Sequence, residues 1–262
     1  MKASHGFCKL AVCCCLLQLF SCTKSINKSG DALQVTTSND LSSQAKKCRI
    51  ISFTQTNVPA ASGTRTVQVY YNAHGNIDSM IADVATGSLG AHLFYFTYDN
   101  NHKLIGYVED TGDSYPAREE HTYAYQGGRI VRDSVRYYPD GISTEVRTLE
   151  YDNKHRIIKQ SFKIINDDGT VIDNIEPLIF TYDNAGNLVF GSASYDNAVN
   201  FLSTSEELMF TQRDYSRNNR IGATAYNDNG LPLGFVGGIP PTYGPSSLLS
   251  FGLPVEIEYD CD

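Results

Sequence analysis

The sequence predicts an all-β fold: an antiparallel meander of repeated hairpins forming a closed or nearly closed β-barrel, with one short helix in an insertion. Three observations predict it. A unit of the form Tyr-Asp-Asn-x-Gly-Asn-Leu recurs in six copies between residues 71 and 233. An alternating aromatic run precedes each copy and an aliphatic run follows it, the pattern of two strands joined by a tight turn. The leading tyrosines are 27, 27, 26, 31 and 44 residues apart, and a near-constant period of this size means an array of one supersecondary unit.

The chain opens on a processing signal. Lys2 and Lys9 give a basic start, and Leu10 to Phe20 is an apolar tract of signal-peptide length, too short to span a bilayer. It ends in Leu19-Phe20-Ser21-Cys22, which resembles the bacterial lipobox: an apolar residue, then a small one, then a cysteine. That resemblance implies a lipidated N-terminus at Cys22. The alternative is an ordinary signal in which Cys22 is one more residue of a tract that already holds Cys13, Cys14 and Cys15. Residues 23–47 are rich in Ser, Thr, Asn and Lys and show no period. They read as a flexible tether with a reach of about 25–30 Å. Residues 48–262 remain as one β-repeat domain.

The formal net charge is −8, and without residues 1–22 the chain holds 19 Lys+Arg against 29 Asp+Glu. Such an acidic balance argues against a nucleic-acid partner and against a polybasic membrane contact. Beyond the signal the cysteines are Cys48, at the start of the first strand-like run, and Cys261, at the end of the last. If those two strands pair antiparallel, the two residues lie side by side and a disulfide is geometrically reasonable; otherwise they are free thiols. No Cys/His cluster indicates a metal, and no cofactor motif is present.

From Cys48 onward each element has a local reason. Ile51-Ser52-Phe53 opens a strand, 57–63 is a turn region, and Val67, Val69 and Tyr71 alternate into the first copy. The copies begin at Tyr71, Tyr98, Tyr125, Tyr151, Tyr182 and Tyr226. An Asp or Asn after the Tyr can cap its own turn through a side-chain hydrogen bond. The repeat turns are marked by Gly75, His102, Gly128, His155, Gly186 and Gly230. Gly adopts a positive φ without strain there, and His is one of the few other residue types enriched at positive φ. Phe94, Phe96 and Tyr98 fall on one face, as do Leu178, Phe180 and Tyr182. Val131, Val135 and Tyr137 oppose Arg132, Ser134 and Arg136, and Ile158, Phe162 and Ile164 oppose Lys159, Ser161 and Lys163. The interval between Tyr182 and Tyr226 holds an insertion, where Ser203-Thr204-Ser205-Glu206-Glu207 predicts a capped short helix. A helix there would plug a barrel end or cover a sheet. Gly234 to Pro245 reads as loop, and Pro254 to Cys261 as the closing strand.

The Tyr-Asp-Asn-x-Gly-Asn-Leu units resemble the YD repeats of Rhs and teneurin-type shells. The whole arrangement, over roughly residues 48–262, resembles Bacteroidetes lipoproteins of unknown function built from such repeats and described as having a porin-like fold. Two departures stand out: the shortened copy at 125–130 and the long interval before Tyr226. The resemblance implies no activity and no catalytic residue.

Other constellations read as construction. His74, His102 and His155 sit in turns, where backbone geometry accounts for them. Asp167-Asp168-Gly169 and Asp183-Asn184 lack the spacing of a calcium loop. Seventeen Tyr and twelve Phe without Trp fit cross-strand aromatic ladders, with a Tyr-lined ligand surface as the alternative. Mid-strand Lys and Arg and a separate lipid anchor argue against a transmembrane pore. The expected function is a lipid-anchored cell-envelope protein, a non-catalytic binding or structural scaffold and not an enzyme. The alternative is a carbohydrate- or peptide-binding lipoprotein using exposed tyrosines. The expected location is the outer membrane, periplasmic side, with the membrane as partner through the anchor and a glycan or peptide as ligand.

Overall fold

The computed structural model describes residues 47–58, 63–83, 93–110, 118–138, 141–189, 191, 193–220, 222–238 and 254–261. Cys22 and the tether up to residue 46 lie outside them, as do His92, residues 111–117 and 139–140, and the stretch 239–253. The strands are β1 (Cys48–Val58), β2 (Gly63–Tyr71), β3 (Ile77–Ala82), β4 (Leu93–Tyr98), β5 (Leu104–Asp110), β6 (Arg118–Gln126), β7 (Arg129–Tyr138), β8 (Ser143–Tyr151) and β9 (Ile157–Asn166). Shorter ones follow: β10 (Val171–Ile172), β11 (Leu178–Ile179), β12 (Tyr195–Val199), β13 (Asn218–Arg220), β14 (Gly234–Phe235) and β15 (Val255–Cys261). A 3₁₀ turn, Phe201–Thr204, leads into a helix, α1 (Glu206–Gln212). The main sheet is a 13-stranded antiparallel meander in which β1 to β10 are neighbours in chain order and β15 lies on the other side of β1.

Five copies build one turn. The amide of the residue after Tyr donates to the carbonyl five residues after Tyr, as in Asn72→Asn76, Asp99→Lys103, Asp152→Arg156, Asp183→Asn187 and Asn227→Leu231. The Asp or Asn side chain then accepts amides inside the turn: Asp99 Oδ1 takes those of Asn101 and Lys103 at 2.8 and 2.9 Å. These amides hold the Asp99 carboxyl below its ordinary pKa. The position four residues after Tyr has positive φ whether it is Gly75, Gly186 and Gly230 or His102 and His155. The 125–130 copy differs. Gln126 pairs directly with Arg129 across a two-residue turn, Gly127-Gly128, with φ of 57° and 81°. Two successive positive φ values are the geometry of a type I′ hairpin.

Each turn is followed by a β-bulge at one fixed place. Tyr71 pairs with Ile77, Tyr98 with Leu104, Tyr125 with Ile130 and Tyr151 with Ile157, and the register shifts by one residue just beyond. The bulge reverses the inward–outward alternation. Hence Ile130 and Ile157 are the buried aliphatics, and Val131 and Ile158 are only partly covered. The simple alternation read from the sequence, which placed Val131 and Ile158 with the dry face, is corrected by this one-residue shift.

The repeats are tied by their tyrosines. Five of the six hydroxyls reach back to the carbonyl of the aliphatic residue that ends the preceding turn: Tyr71 to Ile50 (2.9 Å), Tyr98 to Ile77 (2.6 Å), Tyr125 to Leu104 (2.7 Å), Tyr151 to Ile130 (2.7 Å) and Tyr182 to Ile157 (3.3 Å); that of Tyr226 goes to the Asp196 carboxylate. Four of these rings also carry a cation from the preceding repeat: Arg49 over Tyr71, Lys103 over Tyr125, Arg129 over Tyr151 and Arg156 over Tyr182. Burial pushes the Tyr71 and Tyr151 hydroxyls up to about 12, so they remain donors at any physiological pH.

The sheet curls around the 200–216 segment. Phe201 meets Phe53 of β1 and also Phe235, while Phe210 of α1 meets Tyr123 of β6. These residues belong to one continuous core with Val67, Ile77, Phe94, Leu149 and Ile157. Ser205 is the N-cap of α1, accepting the Leu208 amide at 3.2 Å. Between the 182–188 turn and the 223–235 segment lies the β12–β13 pair. Asn187 and Asn218 bond it on one side and Tyr226 to Asp196 on the other, so side chains rather than a continuous ladder join the two ends of the meander there.

The remaining seam is one repeat split between two distant parts of the chain. Cys261 lies opposite Cys48, Asp260 opposite Arg49 and Tyr259 opposite Ile50, with the bulge just beyond. Tyr259-Asp260 is the first half of a repeat unit and Arg49-Ile50 the second half. A Cys48–Cys261 disulfide stands where the turn would be. Arg49 pairs with Asp260 at 2.7 Å, as Arg156 pairs with Asp152 within an intact turn. Tyr259 donates to Pro232 O at 2.8 Å and so continues the tyrosine series.

Two measurements check this account. Replacing both cysteines by Ser opens a loop spanning a sequence separation of 213 and should lower the unfolding free energy by ~5 kcal/mol in the chain-entropy model; equal urea midpoints for the two proteins would contradict it. Tyr151→Phe should cost about 1–2 kcal/mol by removing one clasp, whereas Tyr95→Phe, on the outer face, should stay within about 0.5 kcal/mol.

Candidate functional site

Two features are candidates: a buried polar network and a cleft at the turn end of the meander. The network is placed by strand register. Tyr123 of β6 opposes Asp133 of β7, which opposes Arg147 of β8. Asp133 and His121 are buried, with Asp133 Oδ1 2.9 Å from His121 Nδ1. The other oxygen of Asp133 accepts from Arg213 Nη2 at 2.9 Å. Arg213 is the C-cap of α1, in the left-handed region at φ 52°, and its Nε also donates to Gln160. Arg147 donates to Glu145 and to the Tyr137 hydroxyl. The Tyr107 ring stacks on His121 with centroids 4.0 Å apart.

The charges balance: His121, Arg147 and Arg213 face Glu119, Asp133 and Glu145. Burial disfavours every charged form, but the partners outweigh it. His121 is pushed up because Asp133, helped by Glu119, stabilises the imidazolium. Asp133 is held down at about 2 by His121, Arg213 and Arg147. A His–Asp pair has the geometry of a general base, but these side chains are both 0% exposed, so no substrate reaches them. The network fastens α1 to the inner wall of the sheet.

The cleft has a volume of about 560 Å³. It opens over the shortened 125–130 turn. Its floor is Gly128 and Arg129. One wall is the turn before, with His102 and Lys103, and the opposite wall is the turn after, with Lys154 and His155. The first turn of α1 closes the third side with Glu206 and Glu207. The walls are fixed. Lys103 lies 5.5 Å from the Tyr125 ring and Arg129 5.7 Å from the Tyr151 ring. The His102 ring stacks on His74 at 3.5 Å. Arg129 Nη2 lies 3.1 Å from His155 Nε2; the guanidinium can only donate, so the imidazole accepts there. Glu207 is oriented by the Tyr98 and Ser205 hydroxyls at 3.0 and 2.6 Å.

The residues singled out from sequence fall in separate places. Gly75, His102, Gly128, His155, Gly186 and Gly230 are each in a repeat turn at positive φ; only His102, Gly128 and His155 line the cleft. Cys48 and Cys261 lie at the seam, and Cys22 is outside the described residues. Asp168 accepts the Thr170 amide at 2.8 Å, which is hairpin chemistry. Among the described residues no group of three His, Cys, Asp or Glu is disposed to hold a metal. Sequence reasoning missed Asp133, Arg147, Gln160 and Arg213. A signal existed: the alternation that turns Val135 and Tyr137 inward carries Asp133 with it, and Gln160 lies in phase with Phe162.

No protein-family model matches the chain, and no curated protein matches it. Among solved structures it is similar to a porin-like protein from Bacteroides uniformis, with a TM-score of 0.42, 11% identity, and coverage of 81% of this chain and 97% of that one. It is also similar to a porin-like protein from Bacteroides vulgatus, with a TM-score of 0.38, 12% identity, and coverage of 80% and 98%.

Asp133→Asn leaves buried Arg213 without its acid partner and weakens the pairing of His121 and Arg147, and the expected loss is about 3–5 kcal/mol at neutral pH, read by urea unfolding. Linkage gives the pH profile. Asp133, with its depressed pKa, contributes stability that is complete above its unfolded value of about 3.9 and is lost as pH falls towards about 2. His121, with its raised pKa, contributes stability that is complete below its unfolded value of about 6.5 and is lost as pH rises through the folded value. Both contributions should flatten in Asp133→Asn; an unchanged pH profile would contradict the assignment.

Proposed function

We propose that this chain is a non-catalytic binding protein of the cell envelope, anchored through a lipid on Cys22 and holding its ligand in the cleft over the shortened turn. The observation that carries the reading is the cleft itself. The shortened turn borders a ligand-sized hollow that mixes apolar, cationic and acidic lining; a second hollow of about 690 Å³, beside the 227–229 turn at the seam, has acidic Asp228, Glu256 and Glu258 and no Lys or Arg in its lining. Its walls are strand ends held by the tyrosine clasps, so the site is rigid before any ligand arrives.

The outer surface supports a protein beside the membrane, not across it. Arg132, Arg136 and Lys163 are exposed on the face turned away from the core, where a bilayer would meet a spanning barrel. The space inside the sheet is filled by the hydrophobic core and α1. The buried His–Asp pair has no access, which supports a non-catalytic role. A lipid anchor at Cys22 fits an outer-membrane location, and the periplasmic side is the reading taken here because residues 23–27 hold no acidic run.

A second reading rests on Tyr70 and Tyr95. They are 50% and 46% exposed and flank Ser79 in one cross-strand row, about 10 Å apart by strand spacing. Two exposed rings so placed form a small platform for a saccharide or a peptide. A glycan and peptide array with the full chain separates the two. Binding lost in Arg129→Ala but kept in Tyr70→Ala/Tyr95→Ala favours the cleft, the converse favours the platform, and no binding to either class favours a structural scaffold. Cys22→Ala should move the protein from the membrane to the soluble fraction; unchanged fractionation would rule out the anchor.

A further inference from the structure

The position five residues after each Tyr, four in the shortened copy, forms an arc along the turn end of the sheet. It holds Arg49, Asn76, Lys103, Arg129 and Arg156 in successive repeats. Arg49 and Arg156 are neutralised within their own repeat, by Asp260 and Asp152 at 2.7 Å each. Lys103 and Arg129 are not. Lys103 acts on the Asp99 carboxylate only from beyond ion-pair distance, and the shortened copy has Gln126 where the others have Asp or Asn. Among the described residues neither Lys103, Arg129 nor Lys154 lies within ion-pair distance of a carboxylate. In a chain of net charge −8, three cations that make no close ion pair among the described residues line one hollow, with Glu206 and Glu207 on its α1 side.

Resting on the cleft reading above, we propose that this hollow is an anion site. It takes the carboxylate, sulfate or phosphate group of a polyhydroxylated small molecule, such as a uronic acid or a sugar ester. The two sides of the cleft differ in charge, and that difference orients the ligand. Lys103, Arg129 and Lys154 on the turn side attract the anionic group and supply charged donors. Glu206 and Glu207 on the α1 side repel a second anion and accept from hydroxyls. The repeat tyrosines beneath contribute no free hydroxyl, because those of Tyr125 and Tyr151 are bonded to Leu104 O and Ile130 O. The guanidinium of Arg129 is already held between the Tyr151 ring and His155, so little side-chain freedom is lost on binding.

The test is calorimetric titration of the full chain in detergent with four probes: an oligogalacturonate, a sulfated oligosaccharide, a neutral oligosaccharide of equal length, and inorganic sulfate. Both anionic saccharides should bind, and the neutral one should not. Raising salt from about 0.05 M to about 0.5 M should weaken binding severalfold. Inorganic sulfate should bind weakly and compete. Lys103→Gln/Arg129→Gln should lower affinity at least about tenfold. Gln126→Asp should do the same while adding only a carboxylate opposite Arg129, as Asp260 lies opposite Arg49. Unchanged thermal unfolding of Gln126→Asp separates this effect from misfolding. Equal, salt-independent binding of neutral and anionic saccharides, abolished by Arg129→Ala, would overturn the anion assignment and leave the cleft reading standing. Sulfate binding without saccharide binding means an adventitious ion only and overturns it too. Binding of no probe while other array ligands require the cleft overturns it alone, and an array with no ligand at all overturns both.

Discussion

A tyrosine hydroxyl bonded to a backbone carbonyl of the neighbouring repeat is the contact on which the rest of this molecule depends. Hairpins in a meander are held side by side by ladder bonds, which by themselves permit slippage by two residues. The clasp removes that freedom. The carbonyl it uses belongs to the residue paired with the previous repeat's own tyrosine, so each copy sets the register of the next. The fixed bulge beyond that pair adds local twist to every hairpin. Repeated around the sheet, this twist curls it about the segment that becomes its core.

Inside, the design is mixed. The half nearer the seam is mainly aliphatic and aromatic, with Ile50, Phe53, Val67 and Ile77 buried, and Gln55 and Arg65 buried in phase with them. On β6 to β9 the inner face carries His121, Asp133, Arg147 and Gln160. An all-apolar wall there would hold α1 by area alone. The charged wall demands one arrangement, in which Arg213 meets both Asp133 and Gln160. Burying such a set gains little net stability over an apolar core, because desolvation offsets the attraction. Its effect is to leave the helix a single seat, and the outward side of that helix is a wall of the cleft.

The fold was largely legible because its chemistry is local. A Tyr, an Asp, and a Gly or His at fixed offsets state a turn and its cap within seven residues, and six copies state it repeatedly. The bulge was not legible, since nothing in Leu104-Ile105 or Ile157-Ile158 tells which of two aliphatics turns inward. The buried network was illegible for another reason. Asp133 and Arg213 are 80 residues apart and Gln160 and Arg213 are 53 apart, and no spacing rule connects them. The candidate site was half legible: the shortened copy stood out as a departure, but its importance appears only when α1 is known to stand over it.

The split repeat at the seam gives the ring a property the linear sequence hides. Its two halves come from opposite ends of the domain, and a covalent bond between side chains occupies the place of three turn residues. The seam is therefore equivalent to any other repeat turn, except that a side-chain bond closes it. A peptide turn of the Asn-x-Gly kind inserted between Asp260 and Arg49 would complete the unit by main chain alone, and the opening could then be moved to any other full-length turn. Circular permutants of this domain are thus reorderings of one set of units. They also offer a way to move the chain ends relative to the cleft without altering a residue that lines it.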